Sequence, residues 1–315
     1  MGNMIKTCEV LLEEYKKTEA PVYPEKLLFK GAEGRDVYNI TAPFWDEGEL
    51  VIAGRVEARD SEESEVHFFV EQGEVWVPRE DTPVFKLQDP FFTRISGELI
   101  LGGVQTFPHP QLEDALSWRT VFYKGASIAR LEPFAHGPDG MKDLRLIELQ
   151  DGKVAVITRP QGEKGGRGKI GFTVISSLSE LTIETVEGAP LLEGQFTDEE
   201  WGGGNEAHLL SNGLVGILGH IASFDGEGSR HYYPMVFTLN PETGETTPIE
   251  LIAVRNDFLP GPSKRPDLED VVFSGGLIRK ENGKAELYAG ISDAEAQKIT
   301  LNDPFLRYEK KELSK

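Results

Sequence analysis

The sequence predicts an all-β chain, a five-bladed β-propeller behind one short N-terminal helix, on three observations. Short apolar runs broken by Gly, Asp and Asn fill most of the 315 residues. Only one stretch, near the start, carries a helical period. A polar residue, an apolar strand, a Gly-containing turn and a second apolar strand recur five times. Many short strands at a fixed long period are the signature of a propeller.

The helix is expected over about Ile5–Thr18, where Ile5, Cys8, Leu11, Leu12 and Tyr15 recur at three- and four-residue spacing among Lys and Glu. Pro21 and Pro24 end it. Residues 1–30 are thus expected to be helix and lead-in, and residues 31–315 a single propeller domain. The strands follow in runs such as Leu50–Ala53, Val66–Val70, Leu99–Leu101, Val154–Ile157 and Leu214–Leu218. The repeat starts at Asn39, Asp89, Asp143, Asn205 and Asp270, so its intervals are 50, 54, 62 and 65 residues. Four strands and their turns fill such an interval. Either the segment around Lys26–Phe29 or the C-terminal tail is expected to close the ring.

Composition narrows the function. Asp and Glu number 53 against 33 Lys and Arg, a formal net charge of -20, which repels phosphate backbones and anionic membrane surfaces. Cys8 is the lone cysteine, so no internal disulfide framework exists. No apolar run approaches the roughly 20 residues of a membrane span, and Glu9, Glu13 and Glu14 interrupt the first apolar stretch, unlike a secretory signal. A cytoplasmic protein without nucleic-acid or membrane partners is expected. The oligomeric state is open.

In a propeller the first strand of each blade lines the central channel. The repeated polar residues would then form a ring of Asn39, Asp89, Asp143, Asn205 or Glu206, and Asp270. Asp and Asn also begin strands simply by capping turns, but acids converging on one axis are costly unless paired or used. Arg159, Arg167 and Lys169 stand among Gly162, Gly165, Gly166 and Gly168. Glycine-rich backbone and Arg together suit an anion; a solvated hairpin loop is the plainer alternative. The run lacks the Gly-Lys-Ser/Thr of a nucleotide loop, the histidines lack a zinc spacing, and there is no Gly-x-Ser-x-Gly, so no metal or other cofactor is expected. Arg55 ends an apolar strand and wants a partner. Trp201 and Tyr232 could stack on a sugar or simply fill the core.

The run Lys142-Asp143-Leu144-Arg145-Leu146-Ile147, with its Asp151-Gly152 turn and Arg159-Pro160, resembles the central motif of the β-mannoside phosphorylases. Tyr38-Asn39, the Arg55 strand, Asp89-Pro90, Leu218-Gly219-His220 and the run from Asp270 to Gly276 resemble other motifs of that group. Over about residues 30–305 the chain resembles more closely a sister family of five-bladed propellers, long catalogued as a domain of unknown function, whose characterised members are β-1,2-mannan mannosyltransferase-phosphorylases. The resemblance implies inverting phosphorolysis and synthesis of β-1,2-mannosides through mannose 1-phosphate. Its partners would be manno-oligosaccharides and inorganic phosphate.

Such an enzyme needs one acid and a cationic cradle rather than the two carboxylates of a glycosidase. By resemblance Asp143 is the acid, passing its proton through a mannose hydroxyl, and burial among carboxylates is expected to raise its pKa. Asn39, Asp89, Glu206, His220, Tyr232 and Asp270 would bind the sugar. Arg55, Arg159, Arg167 and Lys169 would bind phosphate. The alternatives are a sugar-nucleotide-dependent mannosyltransferase, a β-mannoside hydrolase and a non-catalytic sugar-binding propeller.

Overall fold

A computed structural model of the chain describes residues 5–18, 22–113 and 115–310. It contains five antiparallel sheets in a ring, a five-bladed propeller. Blade one is built from Asp36–Tyr38 and Phe44–Asp46, which share the innermost position, then Glu49–Glu57, Ser64–Gln72 and Val75–Pro78. Blade two runs Gln88–Ile95, Glu98–Pro108, Leu116–Gly125 and Glu132–His136. Blade three has three strands, Arg145–Glu148, Val154–Thr158 and Gly171–Ile175. Its outer edge has only an isolated bridge between Gly171 and Leu191 where the other blades have a fourth strand. Blade four comprises Trp201–Leu209, Val215–Phe224, Arg230–Leu239 and Glu250–Leu251.

Blade five comprises Val272–Arg279, Lys284–Ile291 and Glu295–Asn302, and its outer strand is Tyr23–Lys26 from the start of the chain. The lead-in thus closes the ring by pairing with the last blade, Tyr23 opposite Thr300 and Lys26 opposite Gln297. Tyr23–Lys26 thereby ties the start of the chain to the last blade, and as that blade's outermost strand it is only four residues long, which limits the edge it offers to other chains.

The core is divided as a ring requires. Five apolar clusters each lie between two neighbouring sheets. Phe44, Val51 and Phe68 of blade one meet Leu87, Leu99 and Val121 of blade two. Phe91 and Ile100 meet Leu146 and Val156, and Ile157 and Phe172 meet Val215 and Phe237. Leu218 and Val236 meet Val272 and Leu287, and Tyr288 and Ala296 return to Val37 and Ile52. Burying each such Val, Leu, Ile or Phe side chain stabilises by about 1.5–3 kcal/mol, so each blade draws stability from both its neighbours.

The helix, α1, spans Cys8–Lys16, shorter at both ends than the sequence period. Thr7 caps it, its hydroxyl accepting from the Val10 N–H, with Glu9 in the first turn and Lys16 in the last, as the helix dipole favours. It docks against blades three and four. Cys8 and Leu11 join the cluster of Ile147, Val215 and Tyr233, the Cys8 N–H donates to Glu200 Oε1 at 2.5 Å, and Tyr15 donates to Asp257 at 2.7 Å. No helix among the described residues is long and apolar enough to cross a membrane.

Candidate active site

Each inner strand breaks its ladder near the same end, and the breaks place the ring. Register shifts bracket Asp89 in blade two, Asn205 in blade four and Gly275 in blade five. Asn39 lies between the two inner segments of blade one, and Asp143 directly precedes blade three. Asn39, Asp89 and Asp143 have φ of 42°, 48° and 59°. Left-handed backbone costs on the order of 1 kcal/mol for a residue other than Gly, and Asn and Asp tolerate it best. The residue type is therefore demanded by the backbone as well as by chemistry.

The fifth position corrects the sequence reading. It is Gly275, not Asp270: a Cβ at Gly275 would lie 1.7 Å from the Ile40 carbonyl oxygen. Asp270 instead accepts from Tyr233 at 2.8 Å and sits 2.6 Å from His231 Nδ1 outside the ring. In blade four the ring residue is Asn205. Glu206 is held by His208 at 2.8 Å and by the Leu277 N–H at 2.7 Å. Neither Asp270 nor Glu206 joins the ring.

Around blade one, Asp89 Oδ1 accepts from Asn39 Nδ2 at 2.8 Å and from Arg55 Nη1 at 3.1 Å. Both bonds fall on Oδ1, leaving Oδ2 free for a ligand. Arg55 stacks on Tyr38 at 4.9 Å and reaches Glu57 at 2.7 Å. Glu57 also holds Lys264, from the long connection between blades four and five, and Tyr38 at 2.7 Å. Arg55 and Lys264 hold the Glu57 carboxyl down to about 2 against its burial. Asp293, at the hairpin before the last strand, joins this cluster. Burial is the main cause that lifts its carboxyl to about 6, with Asp89 and Glu57 adding to it. Sequence reasoning missed Glu57, Lys264 and Asp293. Asp293 lies in a tight turn, Ser292-Asp293, that reads as ordinary hairpin chemistry.

Around blade three, Asp143 is 2% exposed. Arg159 Nη1 stands 3.3 Å from its Oδ2 and Arg145 Nη2 stands 3.9 Å from its Oδ1. Arg145 stacks on Phe91 at 3.8 Å and donates to the Asn205 carbonyl at 2.5 Å, while Arg159 donates to the Gly202 carbonyl at 2.8 Å. Burial penalises the Asp143 carboxylate, but Arg159, with Lys142 and Arg145, outweighs it and holds the pKa below the usual range. This reverses the expected rise, because the neighbours are cations and not acids. Gly203 makes the arrangement possible. A Cβ there would meet Arg159 Cδ at 2.8 Å and Asp143 Oδ2 at 2.9 Å.

His220 is buried, 2.9 Å from Asn205 through Nδ1, and stacked on Tyr232 at 5.3 Å. Burial pushes its imidazole down to about 3, so it is neutral at physiological pH. Trp201 donates to the Tyr232 hydroxyl at 3.0 Å. Arg167 lies exposed over Trp201 and Phe224, with its guanidinium 5.9 and 5.4 Å from their centroids. Arg167 therefore leads along an aromatic wall toward His220. Lys169 does not join it, pairing instead with the exposed Asp198 at 3.1 Å.

Two buried amide atoms of this ring, Asn39 Oδ1 and Asn205 Nδ2, have no hydrogen-bond partner, while Asp143 Oδ2 and Arg159 Nη1 have only their ion pair with each other. Buried polar groups are nearly always satisfied. An acceptor on blade one and a donor on blade four left open beside this ion pair make the ring the candidate site.

The family catalogued as a protein of unknown function, DUF1861, matches residues 14–307. The chain belongs to that family. No curated protein matches it. Among solved structures, it is 35% identical to a mannose phosphorylase from Leishmania mexicana in complex with a phosphate ion, with 93% of this chain and 92% of that one covered and a TM-score of 0.85. It is 32% identical to a GDP-Man-dependent mannosyltransferase from the same organism, with 95% of each chain covered and a TM-score of 0.86. A β-1,2-mannobiose phosphorylase from Listeria innocua, 14% identical with 89% and 94% covered and a TM-score of 0.58, shares the fold.

Proposed function

We propose that the chain is a carbohydrate-active enzyme that moves mannosyl groups between β-1,2-mannosides and phosphate, with inversion, giving mannose 1-phosphate. The observation that carries this reading is the ring itself, with unpartnered Asn39 Oδ1 and Asn205 Nδ2 beside the buried Asp143–Arg159 ion pair. The phosphate-bound relative supports the anion half of it. Phosphate would bind against Arg159 and neutral His220, with Arg167 drawing it in along the aromatic wall. The mannosyl unit would sit toward Asn39 and Asp89, whose amide and carboxylate suit sugar hydroxyls.

The proton donor moves from Asp143 to Asp89. Asp143 is enclosed, flanked by two arginines and held ionised, which makes it an orienting group for Arg159 and a poor acid. Asp89 also pairs with a guanidinium, Arg55 at 3.1 Å, but through Oδ1 alone, so its Oδ2 is left for the leaving oxygen. In the forward direction phosphate oxygen bonds to the anomeric carbon as the bond from that carbon to the leaving oxygen breaks. The leaving oxygen takes a proton from Asp89, and hydrogen phosphate restores that proton, so no separate base is needed.

The experiment is incubation with β-1,2-mannobiose and phosphate, reading mannose 1-phosphate. Its absence with every mannoside tried sinks the proposal. The similarity to a GDP-Man-dependent mannosyltransferase favours a second reading. Mannosyl transfer from GDP-mannose without any phosphorolysis would replace the first reading by that one.

A further inference from the structure

Glu200 is a buried carboxylate, 6% exposed, that forms no ion pair among the described residues. Its two oxygens are held by hydrogen bonds instead. Oε2 accepts from the Thr197 hydroxyl at 2.9 Å, and Oε1 accepts from the Cys8 N–H at 2.5 Å. Cys8 is the first residue of α1. Glu200 therefore satisfies an N–H that the helix leaves open, and it lies at the positive end of the helix dipole. A buried carboxylate is costly without such compensation, so helix and carboxylate depend on each other.

In the chain Glu200 directly precedes Trp201-Gly202-Gly203, the opening of blade four. The Gly202 peptide is clasped at both ends. Its N–H donates to the Gly168 carbonyl at 3.1 Å, and its carbonyl accepts from Arg159 Nε at 2.8 Å. A second route runs beside this one. Phe196 shares an apolar cluster with Cys8 and Leu11, and a Cβ at Gly202 would stand 2.5 Å from its ring. The carboxylate and the ring together join the seat of α1 to the carbonyl that aims Arg159.

Building on the reading of Arg159 as a phosphate ligand, we propose that Glu200 is a positioning residue for it: α1 seats Glu200, and Glu200 sets the Gly202 carbonyl that orients the guanidinium. Where mannobiose is turned over, Glu200→Ala should raise the KM for phosphate about tenfold, the worth of one charge-assisted hydrogen bond. The kcat and the KM for mannobiose should stay nearly unchanged. Glu200→Gln keeps an oxygen facing the Cys8 N–H and should raise the phosphate KM less. A fall in kcat with both KM values moving together marks a merely structural role and overturns the proposal. The second readout needs no substrate. Cys8 is the lone cysteine and is 5% exposed, and burial, with Glu200 beside it, pushes its thiol up to about 12. An aromatic disulfide reagent therefore labels it only when α1 lifts. Coupling is reciprocal, so Arg159→Lys, like Glu200→Ala, should speed labelling several-fold. Arg55→Lys changes a buried arginine that is bonded to Glu57 and Asp89 rather than to Gly202, and it should leave the rate unmoved. Labelling that Arg159→Lys leaves unchanged, or that Arg55→Lys speeds as much, overturns the link whether or not a mannoside is turned over. Labelling that responds as expected while no mannoside is turned over keeps the link and rejects phosphorolysis.

Discussion

Around blades one and five, Glu57, Glu62, Asp89 and the half-buried Asp293 face Arg55 and Lys264. Around blades three and four, Arg145, Arg159, Lys142 and neutral His220 gather about Asp143. One half of the ring is rich in acceptors and the other in cations. A sugar unit presents hydroxyl donors and a glycosidic oxygen that needs a proton, while phosphate presents only charge and acceptors. On the proposed reading, the division would give each reactant a side, with the reacting carbon between them. It would also let a chain of net charge -20 hold an anion. The cations are buried, where their field is little screened, while the surface acids lie in water.

The sharpest way to break this comparison is to neutralise one acid in each half. Asp89→Asn should lower kcat/KM on mannobiose by about 10³-fold, the range for a lost general acid, and should spare an aryl mannoside whose leaving group needs no proton. Asp143→Asn should act chiefly on stability. It leaves Arg159 as a buried charge without its carboxylate, which costs about 3 kcal/mol, measured as a drop in the denaturant midpoint. Should Asp143→Asn prove the variant rescued by the activated substrate, the two assignments are exchanged.

Next in size is Arg159→Lys. Lysine keeps the charge but loses the planar fork, so it cannot hold the Gly202 carbonyl and a phosphate together. The KM for phosphate should rise about 100-fold, with a smaller change in the KM for mannobiose, as steady-state kinetics at varied phosphate would read. Equal effects on both constants would erase the boundary between the halves.

The blade repeat was legible because four of the five inner strands carry Asn or Asp near the same break: Asn39, Asp89, Asp143 and Asn205. The fifth was misread because Asp270 precedes a strand just as the others do. The clash of any side chain at Gly275 with the Ile40 carbonyl comes from a neighbouring blade and leaves no local trace. Arg55 was legible as a charged residue ending an apolar strand, and Arg159 as one of three bases set among glycines. Lys169, ten residues on, shared its glycine-rich surroundings but not its burial. Lys264 and Asp293 could not be found this way. Each reaches the ring from a connection whose path is set by how blade five closes on blade one.

The smallest effect concerns His220, and it tests whether the cationic half is cationic through arginine alone. Its imidazole titrates at about 3 in the folded chain, from an ordinary 6.5. Below pH 6.5 the unfolded chain therefore binds a proton that the folded chain refuses. The stability held by a neutral His220 is complete above pH 6.5 and is lost as pH falls from 6.5 toward 3, by up to about 1.4 kcal/mol per unit. Asp293 acts in the opposite sense. Its folded value of about 6 lies above the ordinary 3.8, so its contribution is present below 3.8 and lost as pH rises toward 6. Comparing wild type with His220→Gln cancels that term, since both chains retain Asp293. Denaturant midpoints at pH 7.5, 5.5 and 4.5 should show the variant losing less stability than the wild type on acidification. Parallel losses would mean that His220 takes up its proton in the folded state, adding a cation beside Arg159 and making phosphate affinity fall as pH rises through the histidine's titration.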